Sequence, residues 1–254
     1  MMSKFNTHTL QAKCSRKTAF AVAAISAVTV LWTTACSQMA DGDDPSGGLF
    51  PMTVGTTWVY EVETEMKDSE IDQKLTLSVD RKIDFDGKPT WVRRSADGAE
   101  YYTQRDASGI YRVASRTDVE EQAKLDAEPR YILKTPLAIG TTWTAMTVPY
   151  LLRRQNEFPR SLKHSHQAKM TYRIESLAES VEVPYGKYTG CALVKGEATI
   201  KIFTDPINGF TDVPLITQEW YCPKVGLVKF EREEEVPGQF MTGGKVTYLL
   251  TDMR

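Results

Sequence analysis

From residue 51 onward, apolar and polar positions alternate with a period of two. Trp58, Tyr60 and Val62 alternate with Val59, Glu61 and Glu63, and Leu75, Leu77 and Val79 with Thr76, Ser78 and Asp80. Met170, Tyr172 and Ile174 alternate with Thr171, Arg173 and Glu175, and Val246, Tyr248 and Leu250 with Thr247 and Leu249. Such alternation turns one set of side chains to a buried face and the other toward water. Turns rich in Gly and Pro ("DFDGKP", "DASG", "VPYGK", "TDPINGF", "VPGQ") separate these runs, which predicts antiparallel strands. One segment departs from the pattern. "TDVEEQAKLDAE" offers Asp118 as an N-cap with Glu121 three residues on, yet carries little apolar surface. It reads equally as a short helix or as an acidic linker.

The chain repeats itself. "PMTVGTTWVY" at residue 51 returns as "PLAIGTTWTA" at residue 136, with Gly55-Thr56-Thr57-Trp58 and Gly140-Thr141-Thr142-Trp143 identical. The glycine can take the positive φ that ends a turn, and Thr-Thr-Trp then opens a strand. Two weaker matches follow in the same order: "GKPT" with "GKYT", and the run from Glu100 with the run from Glu219. The expectation is an all-β domain with minor α content over 51–254. It would form an antiparallel curved sheet or half-open barrel built from two sequence-related units, about 51–117 and 136–254.

The N-terminus is a separate unit. Residues 1–35 hold Lys4, Lys13, Arg16 and Lys17 and no acid, and "TAFAVAAISAVTVLWTTA" then runs uncharged to Cys36. A basic region, an apolar stretch and small residues before a cleavage point describe an export signal. A Cys directly after "TTA" resembles a bacterial lipoprotein signal, with Thr33 standing where that family usually has Leu. The resemblance implies that Cys36 becomes the lipidated (palmitate-bearing) N-terminus. A plain signal cut near Ala35 and an uncleaved anchor are the alternatives. "SQMADGDDPSGGLF" has the composition of a flexible tether, so 36–50 is expected to link lipid to domain. Ser37 after the Cys implies, by the same resemblance, outer-membrane anchoring that faces periplasm or exterior.

Without residues 1–35 the chain has 27 basic against 33 acidic residues, about −6 from a full-length charge of −2. This balance argues against nucleic acid as a partner. Cys14 leaves with the signal, so Cys191 and Cys222 remain. Two Cys in an exported domain make a disulfide the default, with two reduced thiols or a redox pair as alternatives. They flank a turn centred near Asn208, where opposed residues should have numbers summing to about 416; 191 with 222 gives 413, one bulge away.

"PLAIGTTW", "VPYGKYTGC" and "EWYCPKVGLVKFE", in that order, resemble a broad group of uncharacterised bacterial exported and lipid-anchored proteins associated with the half-open barrels of the lipoprotein carriers LolA and LolB. The resemblance covers roughly residues 50–235. It implies a concave face that holds something apolar, and it transfers no active-site residue.

No nucleophile elbow, phosphate loop or metal-ligand spacing is present, so no catalytic residue, cofactor or metal is expected. His164 and His166 would share a face on a strand, but a surface loop fits them better. The segment 149–169 is a basic island, with Arg153, Arg154, Arg160, Lys163 and Lys169, and reads as a solvated loop or as a contact for an anionic surface. Glu231, Glu233 and Glu235 share one strand face and read as a solvated sheet edge. The functional expectation is a non-catalytic, outer-membrane-anchored binding protein for an apolar ligand or protein segment. The alternative is a structural or assembly subunit of an envelope complex.

Overall fold

The structure is a computed structural model that describes residues 44–66, 69–155, 160–207, 209–237 and 240–254. The export signal, Cys36 and residues 37–43 lie outside the described residues. Residues Gly42–Arg254 form one compact unit.

The first half of the unit is a six-stranded meander: β1 (Thr57–Met66), β2 (Ser69–Phe85), β3 (Lys88–Ser95), β4 (Glu100–Asp106), β5 (Gly109–Arg116) and β6 (Lys124–Lys134). The second half adds β7 (Thr142–Thr147), a two-residue strand β8 (Arg153–Arg154), β9 (Ala168–Val183), β10 (Gly186–Asp205), β11 (Gly209–Cys222), β12 (Gly226–Glu234), a short β13 (Met241–Thr242) and β14 (Gly244–Met253). The large sheet runs β6-β5-β4-β3-β2-β1-β14-β12-β11-β10-β9-β7, antiparallel throughout, while β8 pairs with β13. Each half therefore contributes six consecutive neighbours to one twelve-stranded sheet. Among the described residues there is no α-helix, only a 3-10 turn at Leu162–His164.

The repeated tetrapeptides do the same local work. Gly55 and Gly140 adopt φ of 94° and 91°. Their N–H groups donate to Val79 O and Ile174 O, each at 2.8 Å, and Thr56 O and Thr141 O accept the return bonds at 2.9 and 3.0 Å. Each tetrapeptide thus clasps the neighbouring strand of its own half, β2 or β9. The two junctions between halves differ. β1 and β14 form a full ladder, whereas β6 and β7 face each other without one as the sheet curls almost into a barrel. The Trp143 indole spans that seam, donating to Tyr131 O at 3.1 Å.

Period-two alternation sorts side chains into two layers. Most buried residues, including Trp58, Tyr60, Trp143, Ile174 and Leu215, form the main core inside the curve. Val92, Tyr102 and Ala114 form a small second cluster on the other face of β3–β5. Beside it Glu100 is buried and receives Arg81 Nη1 and Nη2 at 3.1 Å and Arg116 Nη2 at 3.1 Å.

Several expectations change. The acidic segment is neither helix nor plain linker. Glu120 accepts the Thr117 N–H and hydroxyl to close a turn, and β6 starts at Lys124, because the edge of the sheet offers ladder bonds that an isolated polar helix lacks. β6 thereby carries the first half of the sheet on to Lys134. Residues 44–50 are not loose tether. Asp44 folds them into a turn, and Ser46, Leu49 and Phe50 are buried. The basic insertion is partly core, with Leu151, Leu152 and Leu162 at 5%, 0% and 1% exposure. β12, carrying Glu231 and Glu233, is an interior strand between β11 and β14, so the acidic run does not guard an edge.

Candidate functional site: an arginine- and tyrosine-lined lumen

The inward face of the curved sheet is not aliphatic along its length. Leu77 of β2, Arg93 of β3, Tyr101 and Thr103 of β4, Arg112 of β5 and Arg130 of β6 surround a cavity of about 270 Å³, with Ile132 and Tyr150 completing it. Strand alternation explains the set: Tyr101 and Thr103 turn inward while Glu100 and Tyr102 turn to the outer cluster. Three arginines converge on one small space, and they are not equivalent.

Arg112 is neutralised. Its Nε and Nη2 bond to both oxygens of Asp126 at 2.7 and 2.6 Å. Arg130 lies deeper, where burial opposes its charge, but the Tyr150 and Tyr172 hydroxyls and Glu219 together hold its pKa above normal. Arg93 has no ion-pair partner among the described residues, and its Nε is buried without a hydrogen bond. Its guanidinium sits between the rings of Phe50 and Trp58, 4.6 and 4.7 Å from their centroids. Burial pushes its pKa down. Stacking on two aromatic faces offsets part of the cost of an unpaired buried cation.

Tyr101, Tyr172 and Tyr248, around these cations, are un-ionised donors at neutral pH. Burial raises the pKa of Tyr101, and takes Tyr172 and Tyr248 up to about 12. Tyr172 stacks on Trp143 with 5.8 Å between centroids. Glu219 faces the same interior and accepts the Tyr221 hydroxyl. Burial raises its carboxyl pKa, against the pull of that hydrogen bond, Arg130 and Arg232. Arg93 and Glu219 are half-buried and keep some solvent contact, although protein surrounds them.

Tyr150 is held in place by a buried ion pair. Arg232 and Glu234 are 1% and 0% exposed, with Nε and Oε1 2.6 Å apart. Glu234 also accepts the backbone N–H of Tyr150, Leu151 and Leu152 at 2.8, 2.8 and 3.2 Å. Arg232 donates to Thr147 Oγ1 and Val148 O and packs 4.2 Å from the Tyr150 ring centroid. The pair thus anchors 147–152 and aims Tyr150 at the cavity. "FEREEEV" hid this, because its abundant charge suggests solvent. The usable signal was parity: Arg232 and Glu234 continue the inward register of Val228 and Phe230.

Cys191 and Cys222 are joined by a disulfide and fully buried. The β10–β11 register is 413 in pair sum from Ala192↔Tyr221 to Phe203↔Phe210, so the cysteines are directly opposed. The irregularity is confined to the turn, between Phe203 and Asp205. His166 lies outside any strand and shares a 2.8 Å hydrogen bond with Ser165 Oγ. Burial and Arg154 lower its pKa, and no metal-competent group of side chains occurs among the described residues.

No family model and no curated protein sequence matches the chain. Among solved structures it is similar to a protein assigned as exported, of YmcC-like fold, from Bacteroides fragilis, at 15% identity and a TM-score of 0.36. It is also similar to a protein assigned as a lipoprotein from Parabacteroides distasonis, at 16% identity and a TM-score of 0.39. Each alignment covers 81% of this chain and 98% of the other. At this level of superposition neither likeness defines a function.

Proposed function

We propose that the protein is a lipid-anchored, non-catalytic binding protein of the cell envelope, held at the outer membrane through Cys36, and that its lumen receives a carboxylate- or phosphate-bearing group. The observation that carries the ligand class is Arg93, a half-buried guanidinium without an acid whose Nε is buried and unbonded, facing a cavity that also presents Arg130, Tyr101 and Thr103. An incoming anion would supply the missing partner, and charge-assisted hydrogen bonds are the strong ones. An apolar ligand, one of the two occupants expected from sequence beside a protein segment, finds only Leu77 and Ile132 as aliphatic lining. The volume, at the lower end for ligand sites, suits one anionic group or the end of a longer molecule. The export signal and the Cys that follows it support the envelope assignment.

Titration with glucuronate and inorganic phosphate, followed by tryptophan fluorescence from Trp58 beside Arg93, tests the site. Arg93→Met should weaken binding by about tenfold to a hundredfold. Affinity should rise as pH falls and Glu219 loses its charge. Tighter binding of a neutral apolar probe such as dodecanol, unaffected by Arg93→Met, would overturn the reading. An assembly role is the second reading, favoured by the unpaired edges of β6 and β7, whose cleft of about 280 Å³ could take a partner's strand. A stoichiometric protein crosslinked to that seam would establish it.

A further inference from the structure

The long β10–β11 hairpin ends in a tip that the lumen does not use. Ile207 is 92% exposed, Phe210 69% and Phe203 53%. The two phenylalanine rings pack edge to face across the hairpin at 5.6 Å. Two of the polar groups flanking the turn are satisfied from within. Asp205 Oδ1 accepts the Ile207 N–H at 2.8 Å, and the Thr204 hydroxyl donates to Gly209 O at 3.2 Å. The described side chains at the tip therefore show water apolar surface, while these two polar bonds are kept within the hairpin. Behind it opens a cleft of about 410 Å³ whose apolar walls include Leu162, Ile202 and Phe240, with Arg154 and His166 at its margin. The exposed side chains of Arg153, Arg160 and Lys163 in the insertion add positive charge to this end, and Lys201 on β10 stands opposite Asp212 on β11 at 4.0 Å. The rest of the folded chain is acidic on balance.

We propose that this tip is a membrane contact, inserting Ile207, Phe203 and Phe210 into the interfacial layer of an anionic bilayer while the surrounding cations meet the headgroups. Apolar side chains at the apex with Lys and Arg behind them suit that layer, where burial of apolar surface and attraction to anionic lipid act together. The contact is independent of the lumen and of the lipid. Residues 44–50 lie at the other end of β11, where Gly48 O accepts the Lys224 N–H at 2.8 Å. The 14 residues of β11 span about 45 Å. A lipid at one end and an inserted tip at the other would lay the strands along the membrane surface.

The test uses the chain beginning at Ser37, which contains the whole compact unit and neither signal nor lipid. It is floated with phosphatidylcholine vesicles, with and without phosphatidylglycerol. Association with the anionic vesicles is expected, weakening as salt rises. Ile207→Ser with Phe210→Ser should reduce it about tenfold or more, with the thermal transition unchanged because both side chains are exposed. Lysine-to-glutamine changes at 163 and 201 should reduce it by less. Failure to float with either vesicle would overturn the proposal. So would flotation indifferent to the tip variant, or a tip variant whose only effect is to turn an oligomer into a monomer.

Discussion

Removing Glu234 should be among the most damaging single changes in the domain. Its carboxylate, fully buried, accepts three consecutive backbone N–H groups and the Nε of Arg232. Glu234→Ala leaves Arg232 as an uncompensated cation at 1% exposure and strips the acceptors from Tyr150, Leu151 and Leu152. Deleting one member of a buried ion pair typically costs about 3–5 kcal/mol. The orphaned N–H groups add to this wherever 147–152 cannot relax toward water. For a domain of this size each kcal/mol moves the midpoint by about 2–4 °C, so a loss of about 6–20 °C is expected by circular dichroism or calorimetry. Glu234→Gln keeps an acceptor oxygen and should cost less. Adding Arg232→Met to Glu234→Gln removes the stranded charge, so the double variant should be more stable than the two single losses predict. Tyr150 would also leave the cavity, so Glu234→Ala should weaken anion binding at temperatures where the variant is still folded. A midpoint shift below about 3 °C for Glu234→Ala, or strict additivity in the cycle, would refute this account.

Other expectations concern the rest of the frame. The hydrogen bond from Arg81 chiefly holds the Glu100 pKa down to about 2. The unfolded value is about 4.3, so its stabilisation is complete above that pH and is lost as pH falls toward 2; Glu100→Gln should flatten that part of an acid-unfolding curve. Breaking the Cys191–Cys222 link with Cys191→Ser and Cys222→Ser should cost about 3–4 kcal/mol for a separation of 31 residues, read from the denaturant midpoint. Trp58→Ala and Trp143→Ala should each lower a single cooperative transition by about 3–5 kcal/mol, and two resolved transitions would mean that the halves fold separately. Cys36→Ala should leave the protein without acyl mass, either released in soluble form or retained with its signal, as intact mass and fractionation would show.

Period-two alternation and turn residues were enough to read an antiparallel β domain, because each strand's choice of face is a local property of the pleat. The twin Gly-Thr-Thr-Trp segments likewise marked two starts, since a positive-φ glycine followed by β-forming residues acts within a few positions. The opposed cysteines were legible because hairpin register follows from the turn between them. The identity of the lumen was not. Arg93, Arg130 and Tyr150 lie far apart along the chain, and only the curl that brings β6 toward β7 sets them around one cavity. The sequence of β12 pointed to solvent, yet its neighbours β11 and β14 enclose it, and Arg232 and Glu234 are accommodated inside because each satisfies the other and the backbone of 147–152. Burial of a charge depends on which partners arrive from elsewhere in the chain, and that is decided by the tertiary structure alone.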